Sequence, residues 1–359
     1  MIVNELVCKL VEEEIDMRRF LSLPNSIYEE GKLPNNRETE YELIHSKHIL
    51  SDEFVIYPYI VYKENCENIP ISRGALFVYP NDEIGYIGLY ETRYTDKAIS
   101  LLFRTIECKA KELGLKKLVG PIDGSIWIKY RFKIDNFNRE PYTCEPYNRK
   151  GYKVNWEDNG YKVCEEYVSN YMRVPTECPE KEDKLLERFK KRGYEILTLR
   201  DKKFNVVIEE IYDLMIRLYS GFPMFKSITK EQFVYLYKSL NKILNPDMVF
   251  LVYKDEKLKG FSISLPNYSN LINDLSLMNI IRINSIKKNS KEFVVLYLGA
   301  DKDSIGLGVV LAILNQRYFV KNKCTSITAL IHKGNTPERY YSDMVSCQSN
   351  YVLLSKELK

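Results

Sequence analysis

Apolar and polar positions along the chain fall into two successive runs with the same order of elements. In the first run, residues 1–30 read as a strand and then a helical patch that stops at Leu23-Pro24, with a second short helix opening at Ile27-Tyr28. Alternation over Phe54–Tyr62, Gly74–Tyr79 and Ile84–Tyr90 predicts three strands, with Pro80-Asn81-Asp82 as a turn between the last two. Thr95 caps a helix in which Ala98, Ile99, Leu101, Leu102, Ile106, Ala110 and Leu113 recur at helical spacing, and Gly114 ends it. Lys117–Val119 is a strand halted by Gly120-Pro121. Residues 122–150 are irregular and aromatic, Trp156–Gly160 is a short helix, and Tyr161–Met172 is the last strand of the run.

Pro175–Glu182 carries two prolines and four charges without periodicity, as a linker would. The pattern then restarts. Tyr194–Arg200 is a strand, Val206–Tyr219 a helix with Val207, Ile208, Ile211, Leu214, Met215 and Leu218 inside, and Thr229–Leu240 a second helix. Val249–Tyr253 and Gly260–Leu265 form a hairpin about Asp255-Glu256-Lys257. Phe293–Leu298 and Ser326–Ile331 are strands flanking a loop and an apolar helix, Pro337–Met344 is a helix, and Tyr351–Leu354 is a last strand. The shared order implies a duplicated α+β unit with a mixed sheet, although no repeat is visible residue by residue. The domains are expected at 1–176 and 183–359, with a linker at 177–182.

The stretch with the clearest chemistry is the one after Leu298. An apolar strand runs into Gly299-Ala300-Asp301-Lys302-Asp303-Ser304-Ile305-Gly306-Leu307-Gly308 and then into a helix start, Val309-Val310-Leu311. First-turn amides of a helix have no intrahelical partner, and the helix dipole adds positive potential there. Such a corner suits a phosphate. Gly306 and Gly308 leave room for one to approach the backbone.

Composition changes this picture little. The chain has 359 residues, 45% apolar and 28% charged, as a folded two-domain protein would. A net charge of +4, with no dense basic run, gives no reason to expect nucleic acid. Eight cysteines, none in CxxC pairs, read as reduced thiols, not a disulfide framework. His45 and His48 lie three apart without a Cys or further His nearby, so no metal is expected. No window approaches the ~18 uninterrupted apolar residues of a membrane span, and no signal-peptide core opens the chain. A cytoplasmic protein, monomer or homodimer, is expected.

The order of elements and the Gly306–Gly308 loop resemble the GNAT N-acyltransferase fold, in which a bent mixed sheet splits at its centre to hold acyl-CoA. The family's loop reads Gln/Arg-x-x-Gly-x-Gly/Ala, and Asp303 stands here at its first position. The N-terminal run is similar to bacterial tandem GNAT proteins of about this length. It has Gly85-Tyr86-Ile87-Gly88-Leu89-Tyr90-Glu91 before the helix, Gly120-Pro121-Ile122-Asp123-Gly124-Ser125 after it, and then Glu145-Pro146-Tyr147-Asn148 and Trp156–Tyr161. The resemblance implies two tandem GNAT-like domains, each a bent mixed sheet flanked by helices.

It further implies acetyl-CoA or a longer acyl-CoA as co-substrate, no metal, and a small-molecule amine as acceptor. CoA would be held by Tyr297, Leu298, Gly299, Ser304, Ile305, Gly306, Leu307, Gly308 and Asn335. Tyr341 or Tyr340 would be the acid that protonates the leaving thiolate, and His332 or Glu292 a base. The N-terminal run has Glu91-Thr92-Arg93-Tyr94-Thr95-Asp96 where the loop should be, with no glycine, so it is not expected to bind CoA; it would help to form the acceptor pocket. The aromatic cluster Trp127, Tyr130, Phe132, Tyr142 and Tyr147 reads as core first and as a ligand box second. Two other readings stay open. One is transfer from acyl carrier protein or aminoacyl-tRNA; the other is a non-catalytic binding protein on a degenerate GNAT fold.

Overall fold

In the computed structural model, which describes residues 6–29, 37–63, 69–93, 95–177, 180–273 and 276–359, the first run of elements is β1 (Leu6–Leu10), α1 (Glu14–Ser22), α2 (Arg37–Ile44), β2 (Val55–Lys63), β3 (Ser72–Val78), β4 (Ile84–Thr92), α3 (Asp96–Glu112), β5 (Lys117–Gly120), β6 (Phe132–Lys133), α4 (Tyr152–Asp158) and β7 (Lys162–Met172). The second run is α5 (Glu180–Lys191), β8 (Glu195–Thr198), α6 (Phe204–Tyr219), α7 (Lys230–Tyr237), β9 (Val249–Lys254), β10 (Lys257–Pro266), α8 (Leu277–Asn289), β11 (Glu292–Ala300), α9 (Leu307–Asn322), β12 (Thr325–His332) and β13 (Val345–Glu357). Among the described residues, no helix is long and apolar enough to cross a membrane.

Several expected elements differ. The helix expected at Ile27-Tyr28 is a short 3₁₀ turn ending at Ser26, and α2 lies instead in the polar stretch after it. The linker expected at 177–182 ends inside α5: residues 180–182 form its first turn, and Cys178-Pro179 lie outside the described residues. This helix is highly charged and buries only Leu186, Phe189 and Glu182, too narrow a stripe to show as periodicity. Its acidic first turn and basic last turn suit the helix dipole. The helix expected at Pro337–Met344 is two 3₁₀ turns, Thr336–Arg339 and Ser342–Met344, separated by Tyr341 at φ +53°. A left-handed residue ends a right-handed turn, and Pro337 fixes the start of the first.

Contacts divide the chain into two units, and neither is a single stretch. The first holds residues 1–137, 146–166 and 351–359; the second holds 138–145 and 167–350. The division therefore does not follow the expected boundary at 176. The reason lies in strand pairing: Leu354–Glu357 of β13 pair antiparallel with Gly120–Lys117 of β5, so the last strand completes the first sheet. Its strand order is β1-β2-β3-β4-β5-β13. In the second unit the order is β7-β12-β11-β10-β9-β8.

Each unit has its own core. In the first, α3 buries Ala98, Ile99, Leu102, Phe103, Ile106 and Ala110 on the sheet, and Trp156 of α4 sits fully buried among Tyr90, Phe103, Phe132 and Tyr161. In the second, α5 and α9 share a core with Phe250, Val252, Phe293 and Val295 on one face of the sheet, while α6 packs on β10 and β11 from the other.

The duplication is visible in the pairing. In the first unit, two steps along β3, from Arg73 to Ala75, match three along β4, from Glu91 to Gly88; β4 therefore bulges near Leu89, which has φ +50°. In the second, the single step from Ile263 to Ser264 on β10 matches two on β11, from Tyr297 to Val295, and the bulge is at Leu296. After each bulge the next parallel strand parts company. β4 pairs with β5 only over Ile84–Tyr86, and β11 with β12 only over Glu292–Val295, although β11 runs on to Ala300 and β12 to His332.

Candidate active site

The opening between β11 and β12 is built by that bulge together with one in β12, where Leu330 has φ +59°. Before the Leu296 bulge, Phe293 and Val295 face α9; after it, Leu298 and Ala300 do, so Tyr297 and Gly299 turn to the α6–α7 side. There the Tyr297 hydroxyl lies 3.4 Å from that of Tyr237 in α7. Burial, with Tyr237 beside it, holds the Tyr297 phenol well above its ordinary range, so it stays protonated. A Cβ on Gly299 would press on Leu218 and Phe261 at 2.8 Å, so glycine lets α6 come close to the strand. Past Val295, backbone groups on the β12-facing edge of β11 are not engaged in parallel pairing with that strand.

At the end of β11 the loop turns as the glycines require. Gly306 has φ +89° and is the N-cap of α9, a conformation that an L side chain rarely takes. Ser304 is buried, takes the Tyr194 hydroxyl at 3.0 Å, and its amide donates to the Asp301 carbonyl. Leu307 is buried under the helix, whereas Ile305 is 85% exposed at the tip. Among the described residues, the Ile305, Gly306 and Gly308 amides donate to no protein acceptor. One of the loop's two acids is already engaged. Burial works against the Asp301 carboxylate, but the Asp303 amide, Lys259 at 3.1 Å and Arg217 keep its pKa below the usual range. Asp303 lines a groove of about 680 Å³ whose walls carry Lys257, Lys259, Lys302 and Arg217 together with Glu210, Asp213, Glu256 and Asp301.

The remaining expected residues are scattered around this corner. A Cβ on Gly308 would lie 2.7 Å from the Tyr340 hydroxyl, so that phenol rests on the α9 N-terminus. Tyr341 donates its hydroxyl to the buried Glu182 carboxylate of α5 at 2.9 Å. Asn335 is exposed, and it caps the first 3₁₀ turn through its backbone, not its side chain. His332 ends β12 with its ring 5.2 Å from Tyr167 and 6.0 Å from Phe222. Glu292 is at the closed end of the strand pair, opposite Thr325 and bonded to Asn267, away from the opening. Sequence reasoning misses Tyr167, Tyr219, Phe222 and Tyr237. For Phe222 a signal exists in Gly221-Phe222-Pro223-Met224-Phe225, an aromatic connection between two helices.

The equivalent opening in the first unit is filled by the chain itself. After Gly120 the backbone turns inward through a cis Gly120-Pro121 bond, and Asp123 Oδ1 accepts the amide of the bulge residue Leu89 at 2.6 Å. A Cβ on Gly88 would overlap the Ile122 carbonyl oxygen. Burial raises the Asp123 carboxyl pKa, offset by Lys129 and the Leu89 amide. Beside it, Glu91 takes the hydroxyls of Tyr28 (2.9 Å) and Tyr152 (2.7 Å), and burial pushes its carboxyl up to about 7. Tyr130, Phe132 and Tyr147 line the small cavity left there, while Tyr142 belongs to the second unit's core. The loop Glu91–Asp96 carries no glycine, and its Tyr94 lies outside the described residues. His45 and His48 do not converge: His45 stacks on Tyr41, and the His48 Nδ1 faces the Leu50 amide. Among the described residues no group of three or more potential metal ligands occurs.

Comparison with known proteins identifies the architecture. No known family matches the chain at the level of sequence, and no curated protein matches it either. Solved structures do. A tandem GNAT protein from the clavulanic acid biosynthesis pathway, a structure without acetyl-CoA, aligns over 99% of both chains with a TM-score of 0.54 at 10% identity. A conserved protein from Enterococcus faecalis, described as a probable N-acyltransferase, aligns over 99% of this chain and 73% of its own, with a TM-score of 0.52 at 10% identity. A GNAT-type glucosamine N-acetyltransferase region of a fungal multi-domain beta-N-acetylglucosaminidase aligns over 98% of this chain and 38% of its own, with a TM-score of 0.53 at 12% identity. At such identities the likeness is one of fold. The chain has the tandem GNAT fold, as its order of elements implied.

Proposed function

We propose that the protein is an N-acyltransferase that moves an acyl group from acyl-CoA to the amine of a small molecule, with the reaction confined to the second unit. The observation that carries this reading is the parting of β11 and β12 at the Leu296 bulge, next to three open amides at the start of α9. The fit of CoA to that corner is physical. Its diphosphate takes the Ile305, Gly306 and Gly308 amides, and the helix dipole favours its charge. The Tyr340 hydroxyl, now on Gly308, either donates to a phosphate oxygen or turns away.

CoA supplies a thioester; the chain's residues position and polarise it. Backbone N–H groups on the free edge of β11 are placed to stabilise negative charge on the carbonyl oxygen. The base is His332, whose imidazole ends β12 beside the opening between the two strands. Its ring is held edge-on by the buried Tyr167, 5.2 Å away. Tyr341 keeps the buried Glu182 satisfied, and a role as acid requires that bond to break. In the first unit Asp123 already occupies the amide a carbonyl oxygen would need, so acyl-CoA is excluded there.

A non-catalytic binding protein is the second reading, favoured by the Tyr340 phenol resting where the diphosphate would lie. A thermal-shift titration with acetyl-CoA and a longer acyl-CoA separates the two. Stabilisation by either, with CoA released on adding amines, supports the transferase. No stabilisation by any acyl-CoA ends that reading.

A further inference from the structure

On the α6–α7 side of the opening the second unit presents a wall of aromatic rings. Tyr219 closes α6, Phe222 follows it, Tyr237 ends α7, Tyr297 lies on β11 and His332 ends β12; all five are half-buried. Behind them Tyr167 is fully buried. The rings form two contiguous groups. Tyr167, Phe222 and His332 have centroids 5.2–6.1 Å apart, and Tyr219 joins Phe222 at 5.5 Å. Tyr237 and Tyr297 meet edge-on at 6.1 Å. Tyr297 reaches this face only because the Leu296 bulge reverses the strand's alternation.

Half-buried rings at the mouth of an opening are surface that a ligand can cover. Flat apolar groups stack on such rings, and an ammonium is attracted to their faces. A polyamine or a small amino acid leaves most of this wall wet. Resting on the transferase reading above, the geometry points to an acceptor amine carried on an aromatic body, an arylalkylamine, whose ring lies against Phe222 and Tyr219 while its nitrogen is delivered at His332. The amine arrives as the ammonium and gives one proton to His332. Its lone pair then forms the N–C bond to the thioester carbonyl carbon. The C–S bond breaks with its electron pair going to sulfur, and the second nitrogen proton is lost as the amide forms. The thiolate is the base that takes up one of the two protons; the other returns to solvent through His332. The Tyr297 phenol stays protonated and takes no proton from the amine.

The test compares phenethylamine, spermidine and glycine as acceptors for acetyl-CoA. Phenethylamine should exceed the others about 100-fold in kcat/KM. Phe222→Ala should raise KM for phenethylamine about five- to tenfold with kcat within twofold, and Phe222→Tyr should restore it. The acetyl-CoA thermal shift should be the same in all three proteins. Spermidine or glycine performing as well as phenethylamine, or Phe222→Ala sharing the parent KM, overturns the aromatic acceptor and leaves the transferase standing. Failure of acetyl-CoA to bind removes the transferase instead. Calorimetric titration with phenethylamine then decides the wall alone: binding lost in Phe222→Ala supports it, and no binding to the parent protein refutes it.

Discussion

Gly308→Val tests the corner on which the proposed function depends. In the free protein the nearest groups to the new Cβ are the Tyr340 hydroxyl, 2.7 Å away, and Leu298 at 4.0 Å. Tyr340 is half-buried and its hydroxyl is the far end of a long side chain, so it can turn aside. Replacing a helical glycine also recovers a few tenths of a kcal/mol of helix propensity. The free variant should therefore stay within about 1 kcal/mol of the parent. Acetyl-CoA at about 100 times its Kd stabilises a binding protein by about 2.7 kcal/mol. With an unfolding entropy of about 2.1 cal/mol/K per residue, this raises Tm by about 4 °C if the whole chain melts together and about 7 °C if the second unit melts alone. The valine methyls occupy the approach to the Gly306 and Gly308 amides, so the variant should shift by less than about 1 °C. Scanning fluorimetry with and without acetyl-CoA reads both numbers. Equal shifts in variant and parent would refute the placement of the diphosphate.

Three further outcomes follow from the first unit and from α5. Glu91→Gln should change the pH dependence of stability. The folded carboxyl titrates at about 7 against an ordinary 4.5, so its contribution is fully present below pH 4.5 and is lost as pH rises to 7. The stability difference between parent and variant should therefore shift by about 3 kcal/mol across that window, measured by urea denaturation at pH 4.5 and 8; a constant difference contradicts the assignment. Asp123→Ala leaves the Leu89 amide without its 2.6 Å acceptor and should cost about 2–4 kcal/mol, whereas a loss under 1 kcal/mol would mean that the plug is not structural. Tyr341→Phe removes the donor to buried Glu182 and should cost about 1–2 kcal/mol with transfer unchanged; a fall in kcat of about 100-fold would place that phenol at the leaving thiolate.

Much of the fold is legible in the sequence because the two units repeat one order of strands and helices, and because α3 and α6 each carry a wide apolar stripe. The loop at Gly306 is legible for a local reason: a left-handed N-cap at φ +89° calls for glycine. Charge hides α5, since a helix that buries two apolar residues and Glu182 looks like a polar linker. The end of the chain misleads for the opposite reason. Tyr351–Leu354 reads clearly as a strand, but strand propensity says nothing about partners, and its pairing with β5 sends it back to the first unit. The aromatic wall escapes for a similar reason: Tyr167, Phe222 and His332 are far apart in sequence and meet only in the fold.

The two bulges show how one duplicated design yields an open and a closed site. Both units bend the strand after a parallel pair of three or four residues, and both free an amide edge by doing so. In the first unit Gly88 and Gly120 let the segment from Pro121 to Asp123 fold into that gap, where any Cβ would collide with backbone. The carboxylate it delivers satisfies the freed amide permanently, and Trp156 packs behind Gly120. In the second unit no such return exists among the described residues: β12 bulges at Leu330 (φ +59°) and continues to His332, and the chain leaves through two 3₁₀ turns. A buried amide must find a partner. The first unit supplies one from its own sequence; on the transferase reading proposed above, the second offers that place to the thioester carbonyl.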